Sequence, residues 1–154
     1  MIPETVKRVL EENGLAAIEF QPGSTPTAEL AASKLGVPVA QIAKSLLFVT
    51  KAGDFHMIVC PGDHKISNKR LRETVGGKAR MASASEMYES TGFRPGEVCP
   101  FGVTGIPIHL DVALKAFKLV YPAAGTDSSG VPVTFEHLKA ITGANECACS
   151  DPPD

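Results

Sequence analysis

The sequence predicts an α+β fold in which one domain is built around one sheet, and three observations lead there. Strand-like and helix-spaced segments are mixed without the regular βαβ rhythm of a parallel sheet. Several strand candidates are separated only by short turns, which makes them antiparallel neighbours. The length, 154 residues, suits a single core and is too short for two ordinary domains with a linker. With 44% hydrophobic and 21% charged residues, the composition is that of an average soluble globular domain.

Along the chain, Pro3 to Asn13 reads as a helix, with proline at a first helical position and Gly14 as the stop. Ala17 to Gln21 is a short strand. Thr25 caps a second helix whose first position is Pro26, and Gly36 ends it. Ile42 to Thr50 is a near-continuous apolar run, read as a buried strand; Lys51 to Asp54 turn, and Phe55 to Cys60 return beside it. Pro61-Gly62-Asp63 breaks the strand, and Ser67 opens a short basic helix that stops at Gly76. Ala79 to Met81 is another short strand. Ser83 and Glu86 have the spacing of a capping box, for a helix that stops at Gly92. A Gly/Pro-rich loop from Phe93 to Gly105 follows. Strands are expected at Ile106 to Leu110, Lys118 to Tyr121 and Val131 to Val133, then a helix capped by Thr134 and ended by Gly143. The domain is therefore placed at residues 1–145, and the small, polar, Pro-rich segment 146–154 is expected to be a flexible tail.

No apolar region follows the first charged residues, and no run reaches the roughly 18 apolar residues of a membrane span. Both absences point to the cytoplasm and away from a membrane partner. The four cysteines are accordingly read as reduced thiols. A net charge of −2 argues against global polyanion binding, so any nucleic-acid contact is local.

Lys44 shares a strand face with Ile42, Leu46 and Phe48. Two readings are open: an edge lysine reaching out to water, or a cationic anchor for phosphate or carboxylate at a pocket mouth. The loop Gly92 to Gly102 carries three glycines and two prolines in eleven residues. It is either an ordinary connection or a rigid backbone whose N–H groups can hold a carbonyl or oxyanion. Lys65, Lys69, Arg70, Arg72, Lys78 and Arg80 are opposed in their span only by Glu73. They form a solvated helix face or a phosphate-binding patch. Cys99 has no histidine at a recognisable catalytic spacing. Cys147-x-Cys149 lacks the second ligand pair of a zinc motif, so neither metal nor cofactor is expected.

Several segments, in order over most of the chain, resemble the YbaK/EbsC family, also called the prolyl-tRNA synthetase associated domain family. They are Ser24-Thr25-Pro26-Thr27 with the Ala-rich helix and Leu35-Gly36-Val37, then Gln41 to Leu46, Pro61-Gly62-Asp63, Ser90 to Phe93, Gly96-x-x-x-Pro100-Phe101-Gly102, and Leu110-Asp111. The resemblance implies a curved, mixed, mostly antiparallel sheet flanked by helices. It also implies hydrolysis, in trans, of aminoacyl-tRNA wrongly charged with small residues such as Ala, Ser, Thr or Cys, many family members acting on proline tRNA. The implied partners are the acceptor end of aminoacyl-tRNA and a synthetase. Lys44, Gly96 and Pro100 fall on the family's lysine and its Gly-x-x-x-Pro loop and are the implied catalytic positions. Thr25, Ser45, Val98, Cys99, Phe101 and Gly102 are the implied substrate-binding positions, with Lys65, Lys69, Arg70 and Arg72 on tRNA phosphates. The family usually has a second glycine where this chain has Glu97. A non-catalytic aminoacyl-tRNA or synthetase binding module is the alternative of a different class, and a hydrolase using the Cys99 thiol is a third.

Overall fold

Backbone hydrogen bonding in the central strands sets the architecture. The computed structural model describes residues 1–154. Strand β2 (Ala43–Thr50) and strand β3 (Phe55–Pro61) form the expected hairpin, antiparallel from Ala43 opposite Pro61 to Val49 opposite Phe55. A short strand, Ala79–Met81, adds to β2 at Phe48–Thr50 only. On the far side, Ile108–Asp111 and Asn145–Cys147 complete a five-stranded sheet.

In chain order the strands are β1 (Ile18–Glu19), β2, β3, β4 (Lys65–Ile66), β5 (Ala79–Met81), β6 (Ile108–Asp111), β7 (Ser129–Gly130), β8 (Asn145–Cys147) and β9 (Ser150–Asp151). The main sheet runs β5-β2-β3-β6-β8; β1 pairs with β7 and β4 with β9. The sheet is mixed. The pairs β2–β3, β2–β5, β1–β7 and β4–β9 are antiparallel, while β3–β6 and β6–β8 are parallel. Both parallel pairs have the long connection that a strand needs to return in the same direction.

The helices are α1 (Glu4–Glu12), α2 (Ala28–Leu35), α3 (Asn68–Val75), α4 (Ala84–Thr91) and α5 (Phe135–Thr142). Their ends follow local chemistry. Ser67, Ser83 and Thr134 each accept a backbone N–H from the first turn, with a complete capping box between Ser83 and Glu86. Gly36, Gly76, Gly92 and Gly143 close four helices in the left-handed conformation.

Three expectations need correction. The α2 cap is Thr27, whose hydroxyl accepts from the Leu30 N–H, rather than Thr25. The strands expected at 118–121 and 131–133 reduce to single bridges, Ile42 with Tyr121 and Val120 with Val133. Pro122 and Pro132 each remove a donor that a longer ladder needs. The segment expected to be a loose tail contributes β8 and β9, and Cys149 and Ser150 are buried.

The sheet separates two apolar clusters. The larger holds 20 buried residues, among them Ala43, Leu47, Met57, Val59, Cys99, Phe101 and Leu110. A smaller one joins Phe48, Ile58, Leu71 and Cys149 on the opposite face. Ala31, Ala32 and Ile42 form a third, under α2.

Candidate functional site

The first half of β2 has no strand on its outer edge, because β5 reaches only Phe48 to Thr50. The Ala43 N–H donates to the Tyr121 carbonyl at 3.1 Å, and the Leu47 carbonyl accepts from the Ala82 N–H at 2.9 Å. Alternate residues of an antiparallel strand direct their backbone groups to the same side. Ser45, between these two, therefore turns its N–H and C=O towards the open edge. Its hydroxyl is buried and has no hydrogen-bond partner.

A cleft of about 300 Å³ follows this edge. Its floor is Ala43 to Leu47; Pro26, Ala28 and Ala31 form one wall, and Pro95, Gly96 and Val98 another. Met81, Met87, Tyr121, Ala123 and Ser129 also line it. Thr25 is buried and lines the cleft while pinning the chain behind it: its N–H donates to the Asp127 carbonyl, and its Oγ1 accepts from the Ser129 N–H at 3.2 Å.

Glycine is required at two places around this cleft. A Cβ on Gly62 would lie 2.5 Å from the Val39 carbonyl oxygen and 2.9 Å from the Ala28 Cβ, so only glycine lets the end of β3 support α2. Gly96 has φ +88° and packs 3.3 Å, measured from a virtual Cβ, from Pro26. Glu97 closes the turn around it: its N–H donates to the Arg94 carbonyl, and its carboxylate accepts the Arg94 N–H. The residue that departs from the family pattern thus has a local structural use.

Lys44 is half-buried, and its Nζ donates to the His64 carbonyl at 2.7 Å. It lies opposite Cys60, while Asp111 lies opposite Cys147; Cys60 and Asp111 are each one step beyond the Val59–Leu110 pair. A polar row therefore crosses the sheet below the cleft, from a cation through a thiol to a carboxylate. Burial pushes the Cys60 thiol up to about 12 despite the nearby Lys44 ammonium, so it remains protonated.

The structure divides the sequence-derived site residues. Lys44, Gly96, Thr25, Ser45 and Val98 line the cleft. Pro100, Cys99, Phe101 and Gly102 do not. Cys99, Pro100 and Phe101 are buried, Cys99 and Phe101 within the larger core, and Gly102 packs on Thr5 of α1. The loop turns into the core directly after Val98, and three consecutive residues, Cys99, Pro100 and Phe101, are buried there. Burial pushes the Cys99 thiol up to about 12, which removes the thiolate a nucleophile needs. Among the basic residues, Lys65, Lys69 and Arg72 are exposed. Arg70 is committed elsewhere: it donates to the Ala148 carbonyl at 2.9 Å and pairs with Asp151. Arg80 pairs with Glu86 at 2.8 Å.

Sequence reasoning missed Pro26, Met81, Met87, Tyr121 and Ser129 as lining residues. Only the small-residue run around Gly125 to Gly130 offered a signal, as a loop able to approach closely. For metals, donor atoms of Asp111, Cys147 and Cys149 lie within 4.8 Å of one another. The Asp111 carboxylate, however, already accepts from Ala113, Cys149 and Ser150 backbone N–H groups and from the Ser150 hydroxyl. Its Oδ2, which accepts three of these bonds, is committed to the fold. No helix is long and apolar enough to cross a membrane.

Residues 23–141 match the family model described as the aminoacyl-tRNA editing domain. The chain is 46% identical over 125 residues to the uncharacterized protein YwhH of Bacillus subtilis (strain 168), covering 80% of this chain and 79% of that one. It is 34% identical over 93 residues to the proline–tRNA ligase of Thermosipho africanus (strain TCF52B), covering 60% of this chain and only 16% of the ligase. A crystal structure described as a candidate trans-editing enzyme for prolyl tRNA synthetase superposes with a TM-score of 0.86 at 34% identity, over 98% of this chain and 99% of that one.

Proposed function

The chain belongs to the aminoacyl-tRNA editing domain family, and on that premise we propose that it hydrolyses the ester between a wrongly attached small amino acid and tRNA. The observation that carries this reading is the cleft on the open edge of β2, where a half-buried cation, an unpaired strand edge and a glycine turn converge. An aminoacyl ester is already activated, so orienting a water and stabilising the oxyanion suffice. Water adds to the ester carbonyl, the bond to the ribose oxygen breaks as that oxygen takes a proton from the attacking water, and the free amino acid leaves. In this reading Lys44 receives the terminal phosphate. Ser45 and the Gly96 turn offer backbone groups to the aminoacyl end.

Size explains why such a site is useful. A synthetase pocket built for proline rejects a residue smaller by one methylene by only about 1–3 kcal/mol. A second site that admits small residues and excludes proline supplies the missing discrimination, and the cleft over Ala28, Ala31, Ala43 and Ala123 is where this chain would provide it. The similarity to a segment of proline–tRNA ligase supports tRNA charged for proline as the substrate class. Lys65, Lys69 and Arg72, with the cations Lys51 and Lys78 around a second, shallow cleft of about 210 Å³, offer contacts for the acceptor stem.

The test is deacylation, by the pure protein, of tRNA carrying Ala, Ser, Thr, Cys or Pro. Turnover of at least one small residue is expected, with the prolyl ester spared. Lys44→Ala should lower the rate by about 10²-fold or more without changing the circular dichroism. Binding of tRNA with no turnover of any ester would make the protein a binding module instead.

A further inference from the structure

We propose that Ser150, held between the Asp111 carboxylate and the His64 ring, is a positioning residue for Lys44. This rests on the reading of Lys44 as the cation that receives substrate. The Lys44 ammonium donates to the backbone oxygen of His64 at 2.7 Å, so the place of that ammonium depends on the bend that follows β3. The bend is fixed from the far end of the chain. The His64 Nδ1 lies 3.0 Å from the Ser150 Oγ, and the Ser150 Oγ lies 2.7 Å from the Asp111 Oδ2.

The directions of these two bonds follow from proton counting. The Asp111 Oδ2 already receives the Cys149 N–H at 3.1 Å and the Ser150 N–H at 3.0 Å. It is an acceptor, so the single hydroxyl hydrogen of Ser150 points to it. What remains on the serine oxygen is a lone pair. The His64 Nδ1 therefore carries a hydrogen and donates, which fixes both the ring's tautomer and its orientation. Asp111 and Ser150 are buried, so this chain of bonds is shielded from competing water.

Other bonds hold Ser150 and the two residues before it, one of them from Arg70 to the Ser150 carbonyl at 3.4 Å. Ile66 of β4 pairs with Ser150, the Ser67 N–H donates to the Cys149 carbonyl at 2.8 Å, and Arg70 donates to the Ala148 carbonyl. The last strand thus lies against the bend that carries the lysine's acceptor. Removing the hydroxyl frees the ring, loosens the bend and releases the ammonium. Misplacing a substrate-positioning group by about 1 Å can cost up to about 10²-fold in rate.

Two measurements test this. The first is competitive labelling of lysines by acetic anhydride, read by mass spectrometry. In Ser150→Ala, Lys44 should label several-fold faster, with other lysines unchanged and melting still cooperative. His64→Leu keeps the carbonyl but removes the ring, so it should reproduce the effect if Ser150→Ala does not fold. Ser150→Thr, which retains the hydroxyl, should restore slow labelling. The second is turnover of the best ester: Ser150→Ala should lower kcat/KM about tenfold, with Ser150→Thr restoring it. Unchanged Lys44 labelling in both variants overturns the proposal, as does released Lys44 with full turnover. Full turnover in Lys44→Ala would instead remove the assigned role of Lys44, and the labelling would still report whether Ser150 holds it.

Discussion

A thiol inside a glycine-rich loop invites the role of nucleophile, and the surroundings of Cys99 exclude it from that role. It is fully buried, its Sγ lies 3.6 Å from the Phe101 carbonyl, and burial pushes its pKa up to about 12. Cys99→Ser should therefore retain turnover, since a serine hydroxyl can donate to the same carbonyl. It should lower stability by about 1–2 kcal/mol through burial of a more polar group, read by urea denaturation. Loss of all turnover with stability intact would return the thiol to the mechanism. Cys99→Leu should act on the fold rather than the cleft, costing about 1–3 kcal/mol by overpacking. Cys60 and Cys99 also set an alkaline limit. Both are pushed up to about 12 from an ordinary 9.0, so the unfolded chain releases these protons more readily. The stability they confer is complete below about pH 9 and is lost as pH rises from there towards 12. Denaturation curves across that window should fall, and fall less steeply when both thiols are replaced by alanine.

Short elements around the sheet split the basic segment into exposed and paired residues. Lys65, Lys69 and Arg72 face solvent, whereas Arg70 ties α3 to β9. Neutralising the first three together should lower the slope of log affinity for tRNA against log salt by roughly 2, near 0.7–0.9 per phosphate contact. Arg70→Ala should leave the slope unchanged and reduce stability instead. An unaltered slope in the triple variant would leave those side chains as an ordinary solvated face. The ends of these elements were legible because caps are local: Ser67, Ser83 and Thr134, and the glycines after the helices, act within one turn. The exception was Thr27, because Thr25-Pro26 has the same local signature and a remote partner, Ser129, decides between them. Of the cleft's lining, Thr25, Lys44, Ser45, Gly96 and Val98 were expected from the family resemblance. Cys99, Pro100 and Phe101 were misplaced because sequence spacing does not say which side of a loop faces the core. Met81, Met87 and Tyr121 reach the cleft only through folding of distant segments, which no local pattern encodes.

At the scale of the whole chain, the least legible feature was the C-terminal segment, whose small polar residues and prolines read as loose. Its order depends on two partners far away in sequence. One is β6, to which β8 pairs in parallel; the other is β4, to which β9 pairs. Between the two strands, Cys149 fills the smaller core against Phe48, Ile58 and Leu71. The same turn gives Asp111 three of its hydrogen-bond donors, at 2.7 to 3.1 Å. Cutting that segment away removes three hydrogen bonds to a carboxylate that is 1% exposed in the full chain, each worth about 1.5–3 kcal/mol before water takes their place. Loss of the Cys149 side chain from the core adds to this. A chain ending at Ala144 should therefore lose several kcal/mol in urea denaturation, or fail to fold cooperatively, and lose deacylation with it. A chain ending at Asp151 removes only Pro152, Pro153 and Asp154, which are exposed and outside any strand. It should match the full chain within about 0.5 kcal/mol. Equal stability of the two truncated chains would mean that β8 and β9 merely rest on the sheet, and that water replaces the lost donors of Asp111 without cost.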